Sequence, residues 1–121
     1  MTLDLKVEDM FFGEISLKLD DKGRVSIPSH YRKVIKKLDK SADRIFIQKS
    51  SLEKKPVLNV YSSSYLSLIK SDCGTLEEFA IDEQGRIAIP SVFMEYLKCK
   101  NGGNVAARAS PDGKYFYYKK I

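Results

Sequence analysis

The sequence predicts a mainly β fold with short helices, in which two repeats share one barrel about a pseudo-twofold axis. Three observations lead there. The first is an internal repeat. Leu19-Asp20-Asp21-Lys22-Gly23-Arg24-Val25-Ser26-Ile27-Pro28-Ser29 recurs 62 residues later as Ile81-Asp82-Glu83-Gln84-Gly85-Arg86-Ile87-Ala88-Ile89-Pro90-Ser91, with Asp, Gly, Arg, Ile, Pro and Ser identical. The second is a period-two alternation of apolar and polar residues around each Asp-x-x-Gly turn, the signature of half-buried strands. The third is size. A half of about 60 residues buries too little surface to be comfortably stable alone, and closing one shared sheet removes exposed strand edges. The two repeats divide the chain at residues 10–70 and 71–121.

Both repeats read in the same order. Ile15, Leu17 and Leu19 alternate with Ser16, Lys18 and Asp20, which predicts a strand. Asp21-Lys22-Gly23 fits a three-residue hairpin loop with its glycine in the left-handed region. Beyond the loop, Val25 and Ile27 point inward while Arg24 and Ser26 point out. In the second repeat Phe79 and Ile81 precede the turn, Gly85 closes it, and Ile87 and Ile89 follow. Pro28 and Pro90 mark the change from strand to helix, because proline is tolerated at a helix start and not later.

Tyr31, Val34, Ile35 and Leu38 form one helical face. Phe93, Tyr96 and Leu97 form a shorter stripe, ended by Gly102-Gly103. Strands return at residues 44–48 and 57–61, with residues 50–56 as the loop between them. Residues 62–70 read as one more short helix, with Tyr65, Leu66 and Ile69 on its apolar face. The second repeat closes with strands at 104–109 and 114–119 around the turn Pro111-Asp112-Gly113.

The 121 residues include 21 Lys or Arg and 16 Asp or Glu, a formal charge of +5 and a sequence pI near 9.1. That balance favours an anionic partner. No run approaches the roughly 18 apolar residues of a membrane span. The first ten residues carry Asp4, Glu8 and Asp9 and lack the apolar core of a signal peptide. Cys73 and Cys99 stand apart, with no Cys-x-x-Cys and no histidine nearby, which fits a reducing compartment and argues against a zinc site. His30 is the sole histidine, so triads and histidine-based metal sites lack members. Asp-Thr/Ser-Gly, a phosphate-cradling glycine loop and metal-spaced clusters are all missing from the sequence. The expectation is a protein that is not an enzyme, uses no cofactor or metal, and takes no small-molecule substrate.

The form Asp-x-x-Gly-Arg-hydrophobic-x-Ile-Pro, followed by a short helix and two strands, resembles the SpoVT/AbrB superfamily of transcription factors. Its duplication, with Met10-Phe11-Phe12-Gly13 ahead of it, resembles the MraZ family within that group. The likeness runs from about Met10 to Tyr118. It implies a swapped-hairpin or double-psi barrel, ring-shaped homo-oligomers, and sequence-specific binding to short direct repeats in double-stranded promoter DNA. The genes implied are those of bacterial division and the cell wall, and the location implied is cytoplasmic and nucleoid-associated. The family's Asp-x-x-x-Arg motif falls on Asp20 with Arg24 and on Asp82 with Arg86, and the resemblance associates the first arginine with DNA. The chain departs from the family pattern at residues 1–9, which precede the usual start, and at 71–78, a shorter segment than usual. Met94 stands in the slot of Arg32 and Val92 in that of His30, so the two copies are not chemically equivalent.

The candidate DNA-binding residues are therefore Arg24, Lys22, Lys18, Ser26 and Arg86, with Asp20, Gly23, Asp82 and Gly85 as the structural members of the motif. A carboxylate that clamps an arginine across its own turn can also aim it at phosphate or a guanine edge. Lys22 stands at the turn's tip, where an oligomer would repeat it in a row. Charge is uneven along the chain. Residues 32–55 hold nine basic and three acidic side chains, and residues 72–97 hold six acidic and one basic.

Phosphate contact is therefore expected from the first half, and Arg86 is expected to act mainly in folding or assembly. The opposite charges suit a head-to-tail contact, which closes into a ring. Lys33, Lys36, Lys37 and Lys40 read as a solvated helix face or as an extension of the phosphate surface. Tyr115-Phe116-Tyr117-Tyr118 puts aromatics on both faces of a strand, one for the core and one for a subunit interface. The alternative function is an AbrB or antitoxin-like protein-interaction module whose main partner is another protein. The doubled motif and the short tail disfavour it.

Overall fold

A β-β-α-β-β order occurs twice along the chain, as the repeat requires. In the first half it is β1 (Glu14–Lys18), β2 (Arg24–Ser26), α1 (Ser29–Leu38), β3 (Arg44–Leu52) and β4 (Lys55–Tyr61). A one-turn helix α2 (Ser63–Leu66) follows. The second half is β5 (Leu76–Ala80), β6 (Arg86–Ala88), α3 (Ser91–Leu97), β7 (Asn104–Ala109) and β8 (Phe116–Lys120). The computed structural model describes residues 10–38, 43–66, 76–100 and 102–121. The residues that precede the family-like start, Lys40, Ile69 and Cys73 lie outside the described residues.

Six strands pair in the order β1-β7-β8-β4-β3-β5, every pair antiparallel. Exchanging the two repeats turns that order into its own reverse, so the sheet is twofold in its pairing. The first repeat's β1 bonds to the second repeat's β7, and β5 bonds back to β3. The strands β4 and β8 meet in the middle. The remaining strands, β2 and β6, form a separate antiparallel ribbon in which Val25 stands opposite Ile87.

The exchange corrects the expected local hairpins. Only the turn itself joins the two arms: Asp20 N–H donates to the Arg24 carbonyl at 3.0 Å and Gly23 N–H to the Asp20 carbonyl at 3.2 Å. The arms then part, one to the sheet and one to the ribbon. Partners from the other repeat place Val25, Ile27, Ile87 and Ile89 in one shared core, each at most 5% exposed. Neither half could bury that surface alone. Among the described residues no ladder joins β1 to β5, the two edges of the sheet.

The helix α1 lays its expected face on this core: Tyr31, Val34 and Ile35 are buried, with Leu38 only partly buried. In α3 the buried face is Phe93, Met94 and Leu97, with the expected Tyr96 only partly buried. Tyr31 packs 5.3 Å from the Phe11 ring and 4.7 Å from Phe116, centre to centre. Its hydroxyl donates to the Gly13 carbonyl at 2.8 Å, which pins the N-terminal segment to α1. From β8, the Tyr118 hydroxyl donates to the Ser26 carbonyl at 3.0 Å and ties the sheet to the ribbon.

Five local expectations are revised. Ile15 is exposed, in keeping with the place of β1 at the edge of the sheet. The expected loop at 50–56 shrinks to Glu53-Lys54, both with positive φ (53° and 67°), and the flanking strands run on to meet it. That is the geometry of a two-residue primed turn, formed here without the usual Asn-Gly. The helix α3 stops at Leu97, well before the glycines, because Lys98 takes the left-handed conformation (φ 61°) and its N–H closes on Glu95 and Met94. Pro90 is the residue capping that helix rather than its first member. Finally, β8 begins at Phe116, two residues late, because the Asp112 carboxylate accepts from Lys114 N–H at 3.1 Å and extends the turn.

Candidate nucleic-acid interface

The two Asp-x-x-Gly-Arg turns are built by the same bonds. Gly23 and Gly85 both have φ 75°, a conformation open to glycine and strained for other residues. The Asp20 carboxylate accepts from the N–H groups of Lys22 (2.9 Å) and Arg24 (2.7 Å). Asp82 accepts from Gln84 (2.9 Å) and Arg86 (2.8 Å). The other carboxylate oxygen takes the arginine side chain: Arg24 Nε at 2.6 Å from Asp20, and Arg86 Nε at 3.3 Å from Asp82. Each aspartate thus folds its turn and aims its arginine.

These bonds act on the charged form of the acid. The Arg24 backbone N–H is the main influence holding Asp20 below the ordinary aspartate value, and the Arg24 side chain and Lys22 N–H add to it against partial desolvation. The Arg86 backbone N–H does the same for Asp82.

The turns also interlock. Ile27 N–H donates to the Gly85 carbonyl at 2.8 Å, and Ile89 N–H returns the bond to Gly23 at 2.9 Å. Within the ribbon, Arg24 lies opposite Ala88 and Ser26 opposite Arg86. Because Val25 and Ile87 point into the core, Arg24, Ser26, Arg86 and Ala88 share the outer face. Nη1 of Arg86 reaches to 3.8 Å from the Asp20 carboxylate, so both arginines gather around one acid. Their side chains are about a third exposed.

Three of the five candidate residues, Arg24, Ser26 and Arg86, thus stand together on the ribbon. Lys22 is exposed at the turn's tip. Lys18 ends the edge strand β1, opposite Asn104, and belongs to the sheet rather than the ribbon. The β2–β6 pairing brings the basic half's arginine and the acidic half's arginine to one surface.

His30 packs against the exposed Phe12, ring centres 4.0 Å apart and planes tilted by 56°. Burial pushes the Cys99 thiol up, so it is not activated. Among the described residues no group of acidic, histidine or cysteine side chains could hold a metal ion, and no helix is long and apolar enough to cross a membrane.

Sequence reasoning missed one member of this region. Arg32 of α1 packs onto Gly85 of the second turn. No periodicity connects residues so far apart, and the contact exists only because the repeats interlock.

Comparison with known proteins gives concordant results. A family model described as "MraZ protein, putative antitoxin-like" matches residues 10–53. A protein of Alkaliphilus oremlandii named transcriptional regulator MraZ is 32% identical over 99 residues, covering 72% of this chain and 67% of that protein. Its namesake in Alkaliphilus metalliredigens is 32% identical over 94 residues, covering 68% of this chain and 64% of that protein. The chain spans about two thirds of the length of these relatives. The repeated turns, the interlocked strands and this identity together establish that the chain belongs to the MraZ family.

Proposed function

We propose that this protein is a transcriptional regulator that reads duplex promoter DNA with the outer face of its β2–β6 ribbon. The observation that carries the reading is the grouping of Arg24, Ser26 and Arg86 on that face, each arginine aimed by a carboxylate. A two-stranded ribbon is one of the elements a DNA major groove admits. Arginine is the side chain best matched to the guanine edge, and serine can meet any base. Lys22 at the tip and Lys18 on β1 supply phosphate contacts, which position without specifying. One ribbon covers only a short site, so recognition of direct repeats requires several copies, held in a ring of identical subunits. Such a regulator works at the nucleoid, in the bacterial cytoplasm, on the division and cell-wall genes.

Selection from random duplexes by the purified protein tests this. A short, directly repeated sequence is the expected product, and light scattering is expected to give a homo-oligomer larger than a dimer. Failure to enrich any duplex would overturn the reading. The antitoxin-like character of the matching family favours a second one, a module whose main partner is another protein. It predicts that a protein partner, and no nucleic acid, copurifies with the chain.

A further inference from the structure

The second turn has a neighbour that the bonds within the motif do not explain. A Cβ built on Gly85 would lie 2.5 Å from both Cζ and Nη1 of Arg32 and 2.6 Å from its Nε. Three atoms of the guanidinium are thus nearly equidistant from the place where a side chain would begin. The group covers the glycine face-on, closer than a methyl group would allow. Its Nε is buried and has no hydrogen-bond partner. A buried N–H donor without a partner is costly and demands an explanation. Packing on the glycine fixes where the planar group lies, in space that no side chain fills.

Arg32 belongs to α1 of the first repeat, and Gly85 to the turn of the second. The Gly85 carbonyl is also held by Ile27 N–H, again from the first repeat. The turn that carries Asp82 and Arg86 is therefore fixed from outside its own repeat. The arrangement is not duplicated in kind. The residue 62 positions after Arg32 is Met94, which is apolar and buried. Behind the second turn, Arg32 and Lys36 line a cleft of about 250 Å³ together with Asp43, Asp82 and Glu83.

We infer that Arg32 is a cross-repeat positioning residue, whose guanidinium sets the second turn and with it the direction of Arg86. The two arginines of the ribbon, alike in their own hydrogen bonds, are then presented by unlike supports. The consequence for binding rests on the proposed reading of the ribbon as a DNA-contacting face. The positioning itself does not.

Two measurements without DNA test the positioning. In urea melts, Gly85→Ala adds positive-φ strain and a collision that is relieved only by moving the Arg32 guanidinium, the end of a flexible side chain, out of its place on the turn. With Arg32→Ala in the background the collision is gone, and the loss in the folding constant should fall to about tenfold, the strain alone. Equal losses in the two backgrounds would overturn the clamp. By NMR, Arg32→Met should move the Nε–H signal of Arg86 and leave that of Arg24 in place. An unmoved Arg86 signal, or equal movement of both, would overturn the directional role.

A third measurement uses duplex DNA selected by the wild-type protein. Arg86→Ala should weaken binding about tenfold in the wild type and less than threefold after Arg32→Met, whereas Arg24→Ala should cost the same factor in both. Strict additivity for Arg86 would overturn the role in presentation. A wild type that selects no duplex would instead sink the DNA reading, with the melts and spectra still deciding the clamp.

Discussion

The Asp20 carboxylate lies 3.8 Å from Nη1 of Arg86, a residue of the other repeat. Through that contact the two motifs make one charged cluster rather than two. Its acids are the pH-sensitive part. Asp20 and Asp82 are both held below the ordinary value of 3.8, first of all by the backbone N–H groups of Arg24 and Arg86. A carboxyl with a lowered folded-state pKa binds fewer protons when folded. Its contribution is complete above the unfolded value and drains away as pH falls through the folded one. Urea melts from about pH 5 down to about pH 2 should therefore show falling stability in the wild type. Asp20→Asn should start lower at neutral pH and fall less steeply. Parallel acid profiles would mean that the carboxylate's charge does not stabilise the turn.

Gly23 has φ 75°, where a β-branched side chain is strained. Gly23→Val should cost about 1 kcal/mol or more in urea melts. The carbonyl of Gly23 accepts from Ile89, so the variant should also loosen the second repeat. Hydrogen exchange at Ile89 N–H reads that directly, and is expected to speed up.

The repeat, the inward residues of the ribbon and the helix faces were legible because each is written in local periodicity. Val25, Ile27, Tyr31 and Ile35 are where the alternation and the helical spacing put them. Strand exchange was legible only as an expectation of the family, since the pattern of Leu17, Leu19, Val25 and Ile27 is the same whichever strand each arm bonds to. The unlike destinations of β1 and β2 depend on the other repeat, and so do the meeting of Arg86 with Asp20 and the packing of Arg32 on Gly85. The Glu53-Lys54 turn was missed for another reason. Neither residue is a usual occupant of left-handed conformation, so the turn is imposed by the pairing of β3 with β4.

That imposed turn gives a stabilising change. Glu53 and Lys54 both sit at positive φ, which disfavours side chains with a Cβ. Replacing the pair by Asn-Gly should raise stability by about 1 kcal/mol. Thermal melts would show the gain, and a loss would mean that the side chains of Glu53 or Lys54 stabilise the turn.

Tyr118 is fully buried, and its hydroxyl links β8 to the Ser26 carbonyl. Burial pushes its ionisation far above the usual range, with the nearby Tyr31 adding to the effect, so the hydroxyl stays a donor across the accessible pH range. Tyr118→Phe keeps the ring and removes the donor. The expected cost is about 1 kcal/mol, with faster hydrogen exchange in β2 than in β7. An unchanged β2 would show that the ribbon is held by its own pairing with β6.

The ribbon arginines provide the last prediction. Arg24 and Arg86 share one outer face and one acid, so both should matter to DNA, in contrast with the separate roles expected from the charge of the two halves. Each is expected to cost about 1–3 kcal/mol on alanine substitution and to blunt the preference for selected over scrambled duplex. Lys22→Ala should weaken binding to every sequence alike and lower the salt dependence by about one unit per phosphate lost. The measurement is a titration of all three variants at several salt concentrations, after light scattering confirms wild-type assembly. Full, specific binding by a folded and assembled Arg24→Ala protein would remove the ribbon from the DNA interface. A loss with Arg24→Ala and none with Arg86→Ala would restore the charge-based division of labour. The cluster around Asp20 would then be a structural tie between the repeats, with a single reading arginine on its surface.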